Sequence, residues 1–169
     1  MVSDPVTLEV VRHALQGVAE EMGSIMKRAA FSPMIKERED RSCALFSPDA
    51  ELVAQAEHLP IHLALLAGVV PDALAWYGKE NLGPGDILLH NDPYIGGSHL
   101  PDFTMITPIY RAGRHLGYAA VMAHMTDVGG GTPGGGGECT PARSSRRACG
   151  SRRCSSTGPA RSTRTSSRS

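Results

Sequence analysis

Several common kinds of segment are missing from this 169-residue sequence. No run of about eighteen apolar residues, the least that spans a bilayer as a helix, occurs in it. Nor does it open with a basic stretch, an apolar stretch and a small-residue cleavage site, so a cytoplasmic protein is the default expectation. Cys139, Cys149 and Cys154 lie in or beside the last segment of the chain, with neither CxxC spacing nor neighbouring histidines, and Cys43 stands alone among apolar residues. That pattern indicates no disulfide framework and no structural zinc. The glycine stretches are not followed by G-K-[ST] and match no dinucleotide fingerprint, so the sequence offers no ATP site.

Acidic and apolar residues are missing from one end. All 17 Asp and Glu precede residue 141, while 8 of the 17 Lys and Arg follow residue 140, so the body carries 9 minus 17, or −8, and the tail +8. Residues 141–169 contain no Val, Ile, Leu, Met, Phe, Tyr or Trp. Nothing there offsets the entropy of ordering, and a disordered, Arg/Ser-rich tail is expected over 139–169. Two readings of it compete. A basic arm can neutralise phosphates and bind nucleic acid. Alternatively the tail was never selected as protein: with GC-rich codons, Arg143 to Ser169 can be written so that the frame one nucleotide earlier reads EIFEEGLRIPPVQLYRAGEVDEDLLAV, an amphipathic string typical of folded protein. A one-base insertion or deletion near Glu138 to Ala142 accounts for that, and on this reading no nucleic-acid partner is expected.

The rest has the 41% hydrophobic content of a domain with a buried core. Asp4-Pro5 starts a helix, because the Asp accepts free backbone amides and a Pro at the first helical position forfeits no hydrogen bond. Leu8, Val11, Leu15, Val18, Met22, Ile25, Met26 and Ala29 recur at helical steps and predict one apolar stripe; Ser32-Pro33 ends it. Cys43–Phe46 and Leu52–Ala56, joined by a turn-rich link, predict a β-hairpin. Residues 61–77 are nearly all apolar and predict a largely buried helix, kinked or restarted at Pro71. Asp86–His90, Phe103–Tyr110 and Leu116–His124 predict strands, the last two around Arg111-Ala112-Gly113-Arg114. The fold class is therefore α+β: a long N-terminal helix, a second buried helix, mixed or antiparallel strands and a disordered tail.

Residues 91–102 hold too many turn formers for regular structure and are dense in functional groups. In His99-Leu100-Pro101-Asp102 the proline stiffens the chain between an imidazole and a carboxylate, and Gly96-Gly97 lets the loop fold tightly. His124 ends an apolar strand. Two histidines and one carboxylate are a donor set for a divalent transition metal with open positions; the same residues also serve as a hydrogen-bonded loop histidine, a capping Asp and a core-edge His. Asn91-Asp92 follows a strand, where functional side chains gather, and is equally good turn chemistry. Asp127 can orient His124 or begin the glycine loop. His13 and His115 read as structural or surface residues.

The segments H-N-D-P-Y-I-G-G-S-H-L-P-D at 90–102 and A-H-M-T-D-V-G-G at 123–130 resemble the hydantoinase B/oxoprolinase family. So do D-P-V-T-L-E-V-V-R-H-A-L near the start, S-P-M-I-K-E-R-E-D-R-S-C-A-L-F-S, and H-L-P-I-H-L at 58–63. The resemblance covers residues 4–138, a partial N-terminal region, since family members are several times longer. It implies a subunit of an ATP-dependent hydantoinase or 5-oxoprolinase that opens a small cyclic amide, hetero-oligomeric with a hydantoinase A-type subunit that handles ATP, and inactive as this chain alone. It implies a divalent ion (Zn, Mn or Fe), because acetone carboxylase relatives hold one on a His, an Asp three residues later and a His about twenty-two further on, the spacing of His99, Asp102 and His124. Asp92 or Asp127 is then the candidate general base. The alternatives are an acetone carboxylase-type large subunit and a basic-tailed binding module.

Overall fold

The computed structural model describes residues 4–56, 60–97, 100–126 and 152–155. An antiparallel sheet lies between two helices. Its strands are β1 (Arg41–Phe46), β2 (Leu52–Gln55), β3 (Asp86–His90), β4 (Asp102–Arg111), β5 (Arg114–His124) and β6 (Arg152–Ser155), in the order β2-β1-β5-β4-β3-β6. Helix α1 (Pro5–Ala29) is followed by the one-turn α2 (Pro33–Lys36), and α3 (Pro60–Tyr77) connects the first hairpin to β3. The expected α+β class is what the chain adopts.

The two faces of the sheet follow from the period-2 alternation of strand side chains. Ala44, Phe46, Leu88, Ile106, Tyr118, Ala120 and Met122 point to one face and close a core with Leu66, Val69, Val70, Ala73 and Leu74 of α3. Cys43 and Val121 point to the other, where Ala19, Met22 and Met26 of α1 cover them. Each fully buried Leu or Val contributes about 1.5–3 kcal/mol of transfer free energy, so the α3 face is the main source of cohesion.

Asp4 caps α1 as expected, its Oδ2 accepting the Thr7 amide at 3.2 Å. Met22 and Met26 of the predicted stripe pack on the sheet, but the centre of the contact is shifted. Ala19 and Gly23 are the buried positions, and Val11, Val18 and Ile25 remain about half exposed. Small side chains win the contact because they let the helix backbone approach the sheet. Arg41 reinforces that approach: its guanidinium, 1% exposed, donates to the carbonyls of Gly23 (3.1 Å) and Ile35 (2.8 Å). Residues 5–14 are exposed all round.

Helix α3 buries one face against the sheet, as expected of the second buried helix, and does not restart at Pro71. It is one continuous helix, and Ala64, Ala67, Gly68, Asp72, Ala75 and Trp76 are exposed. Pro71 crowds the carbonyl four residues back, that of Ala67, which lies on the exposed side and has room to tilt outward. The tail, expected to be disordered throughout, pairs with β3 over Arg152–Ser155, in antiparallel register from Asp86↔Ser155 to Leu89↔Arg152. An edge strand offers unpaired backbone groups to any extended segment, whatever its side chains. The other residues of 139–169, and the glycine stretch 129–137, lie outside the described residues. No described helix is long and apolar enough to cross a membrane.

Candidate functional site

The chain leaves β2 beside the start of β1, where the Ala56 amide bonds the Cys43 carbonyl at 2.9 Å. That places the beginning of α3 at the same end of the sheet as the start of β1, the end of β5, the start of β4 and the end of β3. Polar residues gather at this end, on the α3 face.

Asp102 and His124 are direct cross-strand partners in the β4–β5 ladder. Twenty-two residues apart in sequence, they meet because the tight hairpin is followed by a one-residue register shift between Ile109 and Tyr110; unshifted pairing from Arg111↔Arg114 would set Asp102 against Ala123. Ala112 and Gly113 both have positive φ (49° and 76°), the requirement of a type I′ turn whose twist matches the strands. The imidazole Nδ1–H of His124 donates to Asp102 Oδ1 at 3.0 Å; the carboxylate side chain is 2% exposed and the imidazole 22%. A carboxylate this buried is costly without charge-assisted hydrogen bonding. The pair therefore stabilises itself while its more open member faces outward.

Flanking bonds fix this end of the sheet. The His124 amide donates to the Asp40 carbonyl (3.1 Å) and the Met125 amide to the Pro101 carbonyl (2.9 Å). His90, one ladder pair away beside Thr104 and 1% exposed, uses Nε2–H to donate to the Ile95 carbonyl at 2.9 Å. Burial holds its pKa below the usual 6.5, against the opposing pull of the Ile95 carbonyl and of Asp92. Asn91, equally buried, donates from Nδ2 to the Leu100 carbonyl at 2.9 Å. Asp92 opens the loop as turn chemistry: its Oδ1 accepts the Tyr94 amide (2.9 Å) and its carbonyl accepts Ile95 (3.1 Å) and Gly97 (3.3 Å). The tightness expected of Gly96-Gly97 is present. Gly96 has φ +76°, and a Cβ on Gly97 would lie 2.7 Å from the Asp92 carbonyl oxygen.

Of the five residues singled out in the sequence, the structure thus brings Asp102 and His124 together and sets Asp92 at the head of the adjoining loop. His99 and Asp127 lie outside the described residues. Among the described residues no three His, Cys, Asp or Glu gather as a metal-binding group. Asp102 and His124 nevertheless fit two positions of such a site. Their Nδ1 and Oδ1 atoms, 3.0 Å apart, have the spacing of neighbouring ligands around an ion bound at about 2.0–2.2 Å, which would take the place of the Nδ1 proton.

Pattern reading missed His90 as a member of this cluster and left Asn91 open between a functional side chain and turn chemistry. His90 passes for the end of a buried strand and Asn91 for a turn former; only the β3–β4 register shows them beside the pair. Cys43 has no role here, since burial pushes its thiol up to about 11, against the lowering effect of Arg41. The histidines read as structural are so: His13 is exposed on α1 near Glu9 (3.7 Å), and His115 lies between Tyr110 and Tyr118, with ring centroids 5.1 and 4.7 Å away.

Comparison with known proteins gives a consistent picture. The hydantoinase B/oxoprolinase family matches residues 4–140. 5-Oxoprolinase 1 of Arabidopsis thaliana is 48% identical over 133 residues, which are 79% of this chain and 10% of that protein. Caprolactamase subunit beta of Pseudomonas jessenii is 35% identical over 132 residues, 78% of this chain and 22% of that one. Among solved structures, the ATP-dependent caprolactamase of Pseudomonas jessenii superposes with a TM-score of 0.64 at 31% identity, over 79% of this chain and 23% of that chain. Nucleotide-free acetone carboxylase superposes with a TM-score of 0.69 at 21% identity, over 78% and 17%, a likeness of fold. The chain spans between a tenth and a quarter of the length of the curated relatives just named.

Proposed function

Because the chain belongs to the hydantoinase B/oxoprolinase family, we propose that it contributes part of the active centre of an ATP-dependent hydrolase that opens a small cyclic amide such as a hydantoin, 5-oxoproline or a lactam. The observation that carries this reading is the Asp102–His124 pair, buried on the carboxylate side and open on the imidazole side. Relatives named 5-oxoprolinase and ATP-dependent caprolactamase support the substrate class.

In this reading His99, Asp102 and His124 hold a divalent ion, Zn, Mn or Fe. Such an ion polarises a carbonyl and lowers the pKa of bound water when present. The chain's own residues do the rest. Without the ion Asp102 accepts the His124 Nδ1–H and so fixes the plane of the ring before an ion arrives. The turn of residues 92–97 packs on α3, with any Cβ on Gly96 lying 3.0–3.3 Å from Asp72 and Val69, and so limits water on that side. Asp92 or Asp127 is the carboxylate that takes the proton from water.

ATP is handled by a partner subunit or domain of the hydantoinase A type, and the activity belongs to the hetero-oligomer. The relative named subunit beta supports a multi-subunit enzyme. A carboxylase subunit is the second reading, favoured by the likeness of fold to acetone carboxylase. The test is ATP-dependent turnover of hydantoin, 5-oxoproline, caprolactam, and acetone with bicarbonate by the assembled enzyme, with Asp102→Asn and His124→Ala as controls. Ring opening that falls at least a hundredfold in both variants is expected. Carboxylation without ring opening would establish the second reading, and full activity in both variants would remove the site.

A further inference from the structure

The β3–β4 ladder stops short of the residue on which this site depends. Its last pair is His90 with Thr104, whereas β4 begins two residues earlier, at Asp102. On one side Asp102 is paired with His124. On the other, continued register would bring Asp92, but the Asp92 carbonyl is occupied by the Ile95 and Gly97 amides and the chain has turned away into its loop. A side chain crosses that gap. Asn91, 1% exposed, donates from Nδ2 to the Leu100 carbonyl at 2.9 Å, nine residues on and two before Asp102. The next carbonyl, that of Pro101, accepts the Met125 amide, which follows His124. The approach to Asp102 is thus held from both neighbouring strands.

We propose that Asn91 is a positioning residue for the Asp102–His124 pair, acting through the Leu100 carbonyl; the proposal rests on the reading of that pair as the functional centre. The residue type suits the task. A carbonyl needs an N–H or O–H donor, which an ionised carboxylate lacks, and the amide reaches one atom further than a serine hydroxyl. Closing the loop with a buried side chain also removes the freedom of the strand's first residues, and displacement of a functional group by about 1 Å is enough to spoil a site.

The experiment uses the full chain labelled with [15N]histidine. Imidazole nitrogen resonances report the His124 hydrogen bond, Asp102→Asn identifies its signature, and the His115 resonances report the intact fold. Titration with Mn(II) gives a second readout. In Asn91→Asp the His124 nitrogens are expected to move in the direction seen in Asp102→Asn, with His115 unchanged, and Mn(II) affinity is expected to fall by about ten- to a hundredfold, the range for residues that orient metal ligands. Asn91→Ser, which adds no charge, gives the same comparison should Asn91→Asp fail to fold. Folded Asn91 variants that retain the parent His124 resonances and Mn(II) affinity, while Asp102→Asn alters both, would overturn the role of Asn91 and leave the site standing. No change in His124 on Asp102→Asn would overturn the pair itself, and this role with it.

Discussion

Hydrogen-bonded polar residues at one end of the sheet decide the behaviour of this chain, and His90 is the clearest case at the residue scale. It is buried with its Nε2–H committed to the Ile95 carbonyl, and burial lowers its pKa from 6.5. Between that lowered value and 6.5 the unfolded chain binds the proton more readily than the folded one, so stability rises with pH across this window. The contribution is fully present above 6.5 and is lost as pH falls through the window. Thermal melts of the parent are therefore expected to drop from pH 7.5 to pH 5 more steeply than melts of His90→Gln. Equal slopes would show that the imidazole is not held neutral by its surroundings. Arg41 shows why single residues resist prediction here. Nothing in R-S-C-A-L-F marks the arginine as buried, yet two backbone carbonyls from α1 and the end of α2 satisfy it.

At the scale of elements, local chemistry was legible and relative placement was not. The Asp4-Pro5 start of α1, the Ser47–Glu51 link and the Ala112-Gly113 turn are written in capping and turn residues, and each forms where its chemistry indicates. The contact face of α1 was read in part: Met22 and Met26 of the apolar stripe lie on it, but Ala19 and Gly23 take its buried centre in place of Val11, Val18 and Ile25, because nearness to the sheet depends on small volume. The same limit applies to the site. The family resemblance implied that Asp102 and His124 belong together; only the register of β4 against β5 places them side by side, and only the early end of the β3 ladder gives Asn91 its task. Close approach also explains Gly117, a glycine inside β5 with φ +147°, where an added Cβ would lie 2.1 Å from the Phe46 carbonyl oxygen. Gly117→Ala must push β1 from β5 and is expected to cost about 2 kcal/mol or more, within the range of overpacked positions. Chemical denaturation measures this, and a change under about 0.5 kcal/mol, the level of an ordinary surface substitution, would show that the two strands part without resistance.

At the scale of the whole molecule, acidic body and basic tail are different kinds of sequence, and a shifted reading frame is our proposal for the tail's arginines and serines. We expect resequencing across the codons of Glu138 to Ala142 to reveal one inserted or deleted base. The pairing of Arg152–Ser155 with β3 does not bear on that question, since a sheet edge accepts backbone and not side chains. The family, the antiparallel sheet between two helices and the Asp102–His124 pair stand independently of the tail. Their functional meaning turns on whether a divalent ion is bound at that end of the sheet. Elemental analysis of purified chain after equilibration with Mn(II), Zn(II) or Fe(II), comparing the parent with His99→Ala and Asp102→Asn, measures it directly. A stoichiometric ion in the parent, lost in both variants that still fold, is the predicted result. Equal metal content in all three, or none in the parent, would contradict it.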